Sequence, residues 1–250
     1  KKGKKENETE AAPIRRESTR TPAVSEDMIL DGTIPFKRLT AAKDFDAKKM
    51  LKIISWNVAG LRAVLKKGTA LEDLIKKEEP DMLCLQETKL SDWKDCPKLG
   101  VVDGYEFFDS ISVAKKGYSG TRTYVKNGHT STHFPGFTVP EDPSKAKHDD
   151  EGRIVTTILD TENPIAVLNT YVPNSGMKLE RLDYRVKTFD PMMRQYIKDL
   201  ESKFSSSRVK NTPVVWTGDL NVAERDYDRF FSTNFKQMQK SPGFTPEERE

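Results

Sequence analysis

Three apolar runs of strand length constrain this chain more than any other feature: Leu51 to Val58, Met82 to Leu85, and Pro213 to Trp216. Each ends abruptly on polar residues. The first closes at Asn57 and Gly60, the second runs into Gln86-Glu87-Thr88, and the third exits through Gly218-Asp219-Leu220-Asn221. Continuous apolar runs bounded by turn residues read as strands buried on both faces. A sheet built from them would deliver amides and carboxylates to one rim.

Between these runs the periodicity changes. Residues 61–79 carry Leu71, Leu74 and Ile75 at helical spacing, and Pro80 ends the segment. Over 177–204, Leu179, Leu182, Val186, Phe189, Met193, Tyr196, Leu200 and Phe204 recur every three or four residues, which predicts an amphipathic helix that Asp190-Pro191 kinks or restarts. Further strands are expected at Ile154 to Leu159 and Ile165 to Val172, and no repeat of solenoid period is present. Strands alternating with helices and irregular stretches predict an α/β or α+β layered fold.

Residues 1–49 mix Lys, Arg, Glu, Ser, Thr and Pro with few aromatics, so they bury too little apolar surface to offset the entropy of ordering. The reading is a flexible tail over 1–49 and a folded domain over 50–250. The Lys1-Lys2-Gly3-Lys4-Lys5 cluster is a candidate nuclear-import or nucleic-acid patch, with a plain solubilising tail as the alternative. A net charge of +3 tolerates a polyanionic partner without demanding one. No apolar run approaches the roughly 20 residues that cross a bilayer, so no membrane association is expected. Cys84, in an apolar run, and Cys96, beside a proline, form neither a disulfide framework nor a zinc-ligand spacing, which fits a reducing compartment.

The chemistry lies in the strand exits. A carboxylate at the end of a buried strand must be paired, hydrogen-bonded or bound to a cation. Glu and Asp are hard oxygen ligands, and Mg²⁺ typically takes one or two carboxylates while water and phosphate complete its shell. Glu87 and Asp219 suit that role. Asp219 and Asn221 share a face if the strand continues past Gly218. Taken singly, Asn57 could cap a turn, Glu87 could pair with Lys89, and Gly218-Asp219 could be a turn. Together at three strand exits they point to a site for a divalent metal and a phosphate.

The blocks around these residues resemble one family. Ile54-Ser55-Trp56-Asn57-Val58-Ala59-Gly60-Leu61-Arg62-Ala63, Leu83-Cys84-Leu85-Gln86-Glu87-Thr88-Lys89, Gly117-Tyr118-Ser119-Gly120, Glu151-Gly152-Arg153, Tyr171-Val172-Pro173-Asn174-Ser175-Gly176, Gly218-Asp219-Leu220-Asn221-Val222-Ala223 and Gly243-Phe244-Thr245-Pro246 look like an apurinic/apyrimidinic endonuclease of the exonuclease III type, in the endonuclease/exonuclease/phosphatase superfamily. The resemblance implies a four-layer β-sandwich of two mixed sheets flanked by helices. It implies hydrolysis of DNA 5′ to an abasic site with Mg²⁺, or Mn²⁺ in its place, leaving a 3′-hydroxyl for base-excision repair. It places Glu87, Asn57, Asp219 and Asn221 at the metal and phosphate. Asp219 would activate water, Tyr171 would supply its hydroxyl, and Asn174 and Asn221 would contact phosphate. Arg62, Lys89, Gly117, Tyr118, Arg153 and Asn174 would face DNA containing abasic sites. A nuclear or organellar monomer, working beside other repair proteins, is the expected setting.

The chain also departs from the family pattern. Ala59 stands where many eukaryotic members have an aspartate, which favours one metal over two. Ile54 replaces a cysteine of vertebrate members, so no redox role transfers. Met177 stands where some members place an arginine that enters the duplex. Family members continue beyond the Gly-Phe-Thr-Pro block to a Ser-Asp-His motif, whereas the sequence stops at Arg249-Glu250, and the expectation is of a domain truncated before its final strands. His129, His133 and His148 are read as surface residues. The alternatives are another superfamily phosphoesterase, such as an RNA deadenylase, a phosphoinositide phosphatase or a sphingomyelinase, and a catalytically incomplete DNA-binding fragment.

Overall fold

A computed structural model describes residues 50–137, 150–161, 164–203, 212–225, 228 and 240–250, all within the unit Asp46–Glu250. The tail expected over 1–49, His148 and Phe204 lie outside the described residues. At the centre is β2 (Met82–Gln86), buried at all five positions. It lies parallel to β1 (Ile53–Asn57), with Asn57 opposite Gln86. Parallel neighbours need a crossover, and α1 (Leu61–Lys66) and α2 (Ala70–Glu78) supply it. The single helix expected over 61–79 is thus two. The break falls at Gly68, whose φ of +107° is open to glycine and strained for other residues. Acidic Glu72 and Asp73 open α2, basic Lys76 and Lys77 close it, and both suit the helix dipole.

Sheet A has the order β1-β2-β4-β3, with β3 at Tyr105–Ser110 and β4 at Thr121–Lys126. Sheet B has the order β5-β6-β7-β8, from β5 (Ser131–Pro135), β6 (Ile154–Leu159), β7 (Ile165–Tyr171) and β8 (Val214–Asp219). Both sheets are mixed: β1 and β2 are parallel in one, β7 and β8 in the other, and the remaining pairs are antiparallel. Sequence periodicity gave no warning of β3, β4 and β5. Polar residues interrupt their apolar ones, with Arg122 and Thr123 buried in β4 and His133 half-buried in β5.

Alternation sorts the core into layers. Leu83 and Leu85 of β2 turn toward α1 and α2, where they meet Leu61, Leu71 and Ile75. Met82 and Cys84 turn inward against Val167 and Leu159 of the other sheet. On the far side Ala166 and Leu168 of β7 pack against Phe189, Met193, Tyr196 and Leu200. The last three of these lie on α3 (Asp190–Lys203), which continues from a wide π turn at Arg185–Phe189. The restart has a cause in Pro191, which has no N–H to give the preceding turn and is tolerated only in the first turn of a helix. Two mixed sheets flanked by helices are therefore the observed architecture.

β8 differs from expectation. Val215 and Trp216 are each 38% exposed, because β8 lies at the edge of sheet B with β7 its one strand partner among the described residues. Its apolar run resembles that of a central strand but sits at a border. Cys84 and Cys96 are buried and unbridged, and burial pushes their thiols up to about 12 and about 11.

Polar side chains also join the layers. Asn169 of β7 donates to the carbonyls of Leu85 and Arg122 at 3.2 and 2.9 Å, and its Oδ1 accepts from Gln86 Nε2 at 2.8 Å. Arg122, fully buried, holds Asp109 through Nε and Nη2 at 2.8 Å each. His133 is not a surface residue. Its ring stacks on Phe108 of the opposite sheet and bonds Ser131 Oγ at 2.8 Å and Thr157 Oγ1 at 3.1 Å. Burial lowers its pKa to about 4.

Two outcomes follow for stability. Asn169→Ala strands buried acceptors and one amide, and is expected to cost about 3 kcal/mol in urea unfolding. A depressed histidine pKa means that the unfolded chain takes up a proton first, so stability is full above about 6.5 and declines as pH falls toward about 4. A His133→Gln variant should show a shallower decline across that window.

Candidate phosphoester-cleaving site

The C-terminal ends of β1, β2, β7 and β8 meet at one rim of the sandwich, and each delivers a polar residue. Asn57 ends β1, Glu87 follows β2, Tyr171 ends β7 and Asp219 ends β8. Asn57 Nδ2 donates to Glu87 Oε1 at 3.0 Å and to Asp219 Oδ2 at 2.7 Å, while its Oδ1 accepts from the Ala59 amide at 3.0 Å. One amide thus spans both sheets and faces both carboxylates. A flipped amide would set its oxygen against two anions. In this arrangement Asn57 orients the two carboxylates.

Glu87 has a left-handed backbone, φ +55°, so it leaves β2 on a turn that a non-glycine residue adopts at a cost of about 1 kcal/mol or more. Burial pushes its carboxyl up, but bonds from Lys89 and Asn57, the Lys89 charge and the Tyr171 hydroxyl outweigh burial and hold it below the usual glutamate range. Lys89 Nζ lies 2.9 Å from Glu87 Oε2, so the simple pairing weighed for Glu87 is present in this arrangement. The Tyr171 phenol is held far above its ordinary pKa by burial and by the negative charge of Glu87 and Asp219, against the opposing charge of Arg153. It keeps its proton at neutral pH and is a hydrogen-bond donor.

Beyond Asp219 the strand does not continue. Asn221 turns to φ +48°, its N–H bonds back to Asp219 Oδ1 at 3.0 Å, and the shared strand face expected for this pair is replaced by an Asx-type turn. Both residues stay in the site nevertheless. Asn221 Nδ2 donates to the Val172 carbonyl at 2.8 Å, and Asn174 Nδ2 donates to Asn221 Oδ1 at 2.9 Å. Gly218 makes this approach feasible, because a Cβ there would collide with the Thr170 carbonyl oxygen on β7.

The residues expected to face DNA divide into two groups. Arg62 is exposed and paired with Asp95, and Gly117 sits on an exposed loop with its N–H on Ser91 Oγ at 2.8 Å. Arg153 is 2% exposed. Its Nε donates to Glu151 at 2.7 Å, Nη1 to the Tyr171 carbonyl at 2.9 Å and Nη2 to the Tyr118 hydroxyl at 2.7 Å. Buried and bonded through all three nitrogens, this guanidinium props up Tyr171 and Tyr118. Arg181 Nη1 reaches the same Tyr118 oxygen at 2.7 Å and its Nη2 the Glu151 carboxylate at 3.0 Å. Burial pushes the Glu151 carboxyl up, but the two arginines outweigh it and lower its pKa.

Sequence reasoning missed Arg181, Arg185 and Glu248. The signal was present for Arg185, which falls between Leu182 and Phe189 on the apolar face of its helical stretch, where a charge needs a reason.

Residues 54–247 match the model of the Endonuclease/Exonuclease/phosphatase family. The chain belongs to this family. It is 39% identical over 204 residues to an exodeoxyribonuclease of Bacillus subtilis, covering 80% of this chain and 69% of that protein. It is 41% identical to the DNA repair nuclease APEX1 of Danio rerio, over 86% of this chain and 62% of that protein. A DNA-(apurinic or apyrimidinic site) endonuclease of Dictyostelium discoideum is 39% identical over 81% of this chain, which spans about half, 49%, of that relative's length. Among solved structures, the AP endonuclease LMAP of Leishmania major matches at a TM-score of 0.77 and 48% identity, over 90% of this chain and 72% of that one. Within the family, then, its relatives are nucleases of the exonuclease III type.

Tyr118→Phe removes the acceptor shared by two guanidinium groups. Denaturant unfolding is expected to show a loss of about 2 kcal/mol, since Arg153 is buried and cannot turn to water.

Proposed function

We propose that this family member hydrolyses the DNA phosphodiester 5′ to an abasic site, with water as nucleophile and a 3′-hydroxyl on the product. The observation that carries the reading is the joining of Glu87 and Asp219 through Asn57, with Tyr171, Asn174 and Asn221 on the same rim. The names of the relatives supply the substrate class.

The donor set suits a single Mg²⁺. Two carboxylates with amide neighbours match an ion that keeps most of its shell for water and phosphate. Glu87 would hold it, with Lys89 giving way, and Mn²⁺ would substitute. When bound, the ion would supply positive charge that offsets the negative charge growing at the reacting phosphate.

The chain's own groups do the rest. Asp219, fixed by Asn57 and by the Asn221 N–H, accepts a proton from water as its oxygen attacks phosphorus. The P–O3′ bond breaks in line with that attack, and the departing 3′-oxygen takes a proton from solvent to become the 3′-hydroxyl. Tyr171, which retains its proton, donates a hydrogen bond to the phosphoryl oxygens as their charge grows. Each of the Asn174 and Asn221 side-chain amides spends one N–H inside the protein and has a second for the phosphate. Arg62 and Lys89 would hold flanking phosphates without reading sequence, with the Gly117 loop leaving room for the backbone.

In the full-length protein, Glu87→Ala and Asp219→Ala are each expected to lower incision of an abasic duplex by about a thousandfold, and a chelator should abolish it. Turnover of poly(A) and of a phosphoinositide, measured beside abasic DNA, should be negligible. Wild-type rates in either variant would overturn the assignments.

A further inference from the structure

The loop after β8 carries Asn221 in a left-handed conformation, and its carbonyls have left the sheet. One buried side chain takes them up. Arg185 donates through Nη2 to the Leu220 carbonyl at 2.9 Å and through Nη1 to the Asn221 carbonyl at 2.6 Å, and Nη1 also reaches the Pro173 carbonyl at 3.4 Å, one residue before Asn174. Arg185 is 2% exposed. Its charge is met by Glu248 at 3.3 Å and by Asp190 at 3.8 Å. The Glu248 carboxylate in turn accepts from Ser175 Oγ, from the Thr245 N–H at 3.1 Å and from Thr245 Oγ1 at 2.8 Å.

Three segments that are far apart in sequence are thereby tied to one ion pair: 173–175, 220–221 and 245–248. Two of them carry the amides assigned to the phosphate. We infer that Arg185, backed by Glu248, is a positioning residue that sets the angle at which Asn221 and Asn174 meet the phosphate; this rests on the phosphodiesterase reading above. The choice of a charged residue has a reason. Burying an ion pair is seldom favourable when apolar side chains of equal volume could fill the space, but an apolar side chain here would leave the Leu220 and Asn221 carbonyls without donors. The planar fork of a guanidinium serves two neighbouring carbonyls at once, which a lysine ammonium, a point charge, does poorly. Displacements near 1 Å at a reacting centre cost roughly a hundredfold in rate.

The test uses the full-length protein with Arg185→Lys and, as a second variant that leaves the arginine in place, Glu248→Gln. Steady-state incision of an abasic duplex should show kcat lower by about thirtyfold for Arg185→Lys with KM within about threefold, and a smaller fall in the same direction for Glu248→Gln. In an Asn221→Ala background the Arg185→Lys effect should shrink to less than about tenfold, leaving only the share that passes through Asn174. A residue with a purely structural role would give the same loss in both backgrounds. Hydrogen exchange of the amides of residues 219–223, which needs no substrate, should accelerate in both variants. Equal losses with and without Asn221, an unchanged kcat, or unchanged exchange in that loop would overturn the inference. If the unmodified protein fails to incise abasic DNA while loop exchange responds as described, the substrate assignment falls and the clamp on the loop stands.

Discussion

Asn57 donates its two amide hydrogens to carboxylates that belong to different sheets, Glu87 beyond β2 and Asp219 at the end of β8. Two carboxylates brought this close repel each other unless something between them is positive or donates hydrogen bonds. The side-chain amide does this without adding charge, so the local excess of negative charge is retained. The remainder of the rim is organised around that pair. Lys89 leans on Glu87, Tyr171 reaches the same carboxylate, and the turn at Asn221 closes back on Asp219.

The sandwich serves this contact by placing two parallel strand pairs face to face. In each sheet one parallel pair ends at the rim, so four C-terminal strand ends come together. Rigid placement comes from polar joints as well as apolar filling. Asn169 and Gln86 connect the sheets one residue below Glu87. Farther out, Arg153 and Arg185 are buried guanidiniums that hold loop carbonyls in place of secondary structure. Chains that leave a sheet to form a site lose their ladder partners, and here those partners are supplied by arginine side chains.

The apolar runs made β1, β2, β6, β7 and β8 legible, because burial on at least one face leaves a mark in composition. β3, β4 and β5 left none, since polar residues interrupt their apolar ones; Arg122 and His133 are partnered by Asp109 of β3 and Thr157 of β6, neighbouring strands that only the folded sheets bring alongside. The same reasoning explains His133, which lies in a polar stretch yet stacks on Phe108 of the opposite sheet; Trp216, in a strand of central-strand composition, has one neighbouring strand among the described residues. Composition records how apolar a segment is, whereas position in the sheet order depends on pairings made elsewhere in the chain.

For the site, the sequence by itself determined which residues stand at three strand exits: Asn57, Glu87, Asp219 and Asn221 follow from apolar runs and the turns that end them, whereas Tyr171 was marked only by the family resemblance. Tertiary structure alone decided what each one does there. Whether Asn57 presents its oxygen or its nitrogen, whether Arg153 faces solvent or props up Tyr171, and whether Asn221 lies on a strand or a turn depend on groups up to 162 residues away in sequence. Local pattern fixes where a polar side chain leaves the core, because that is a matter of burial along one segment. Its partners are fixed by the meeting of distant segments, and no periodicity encodes that.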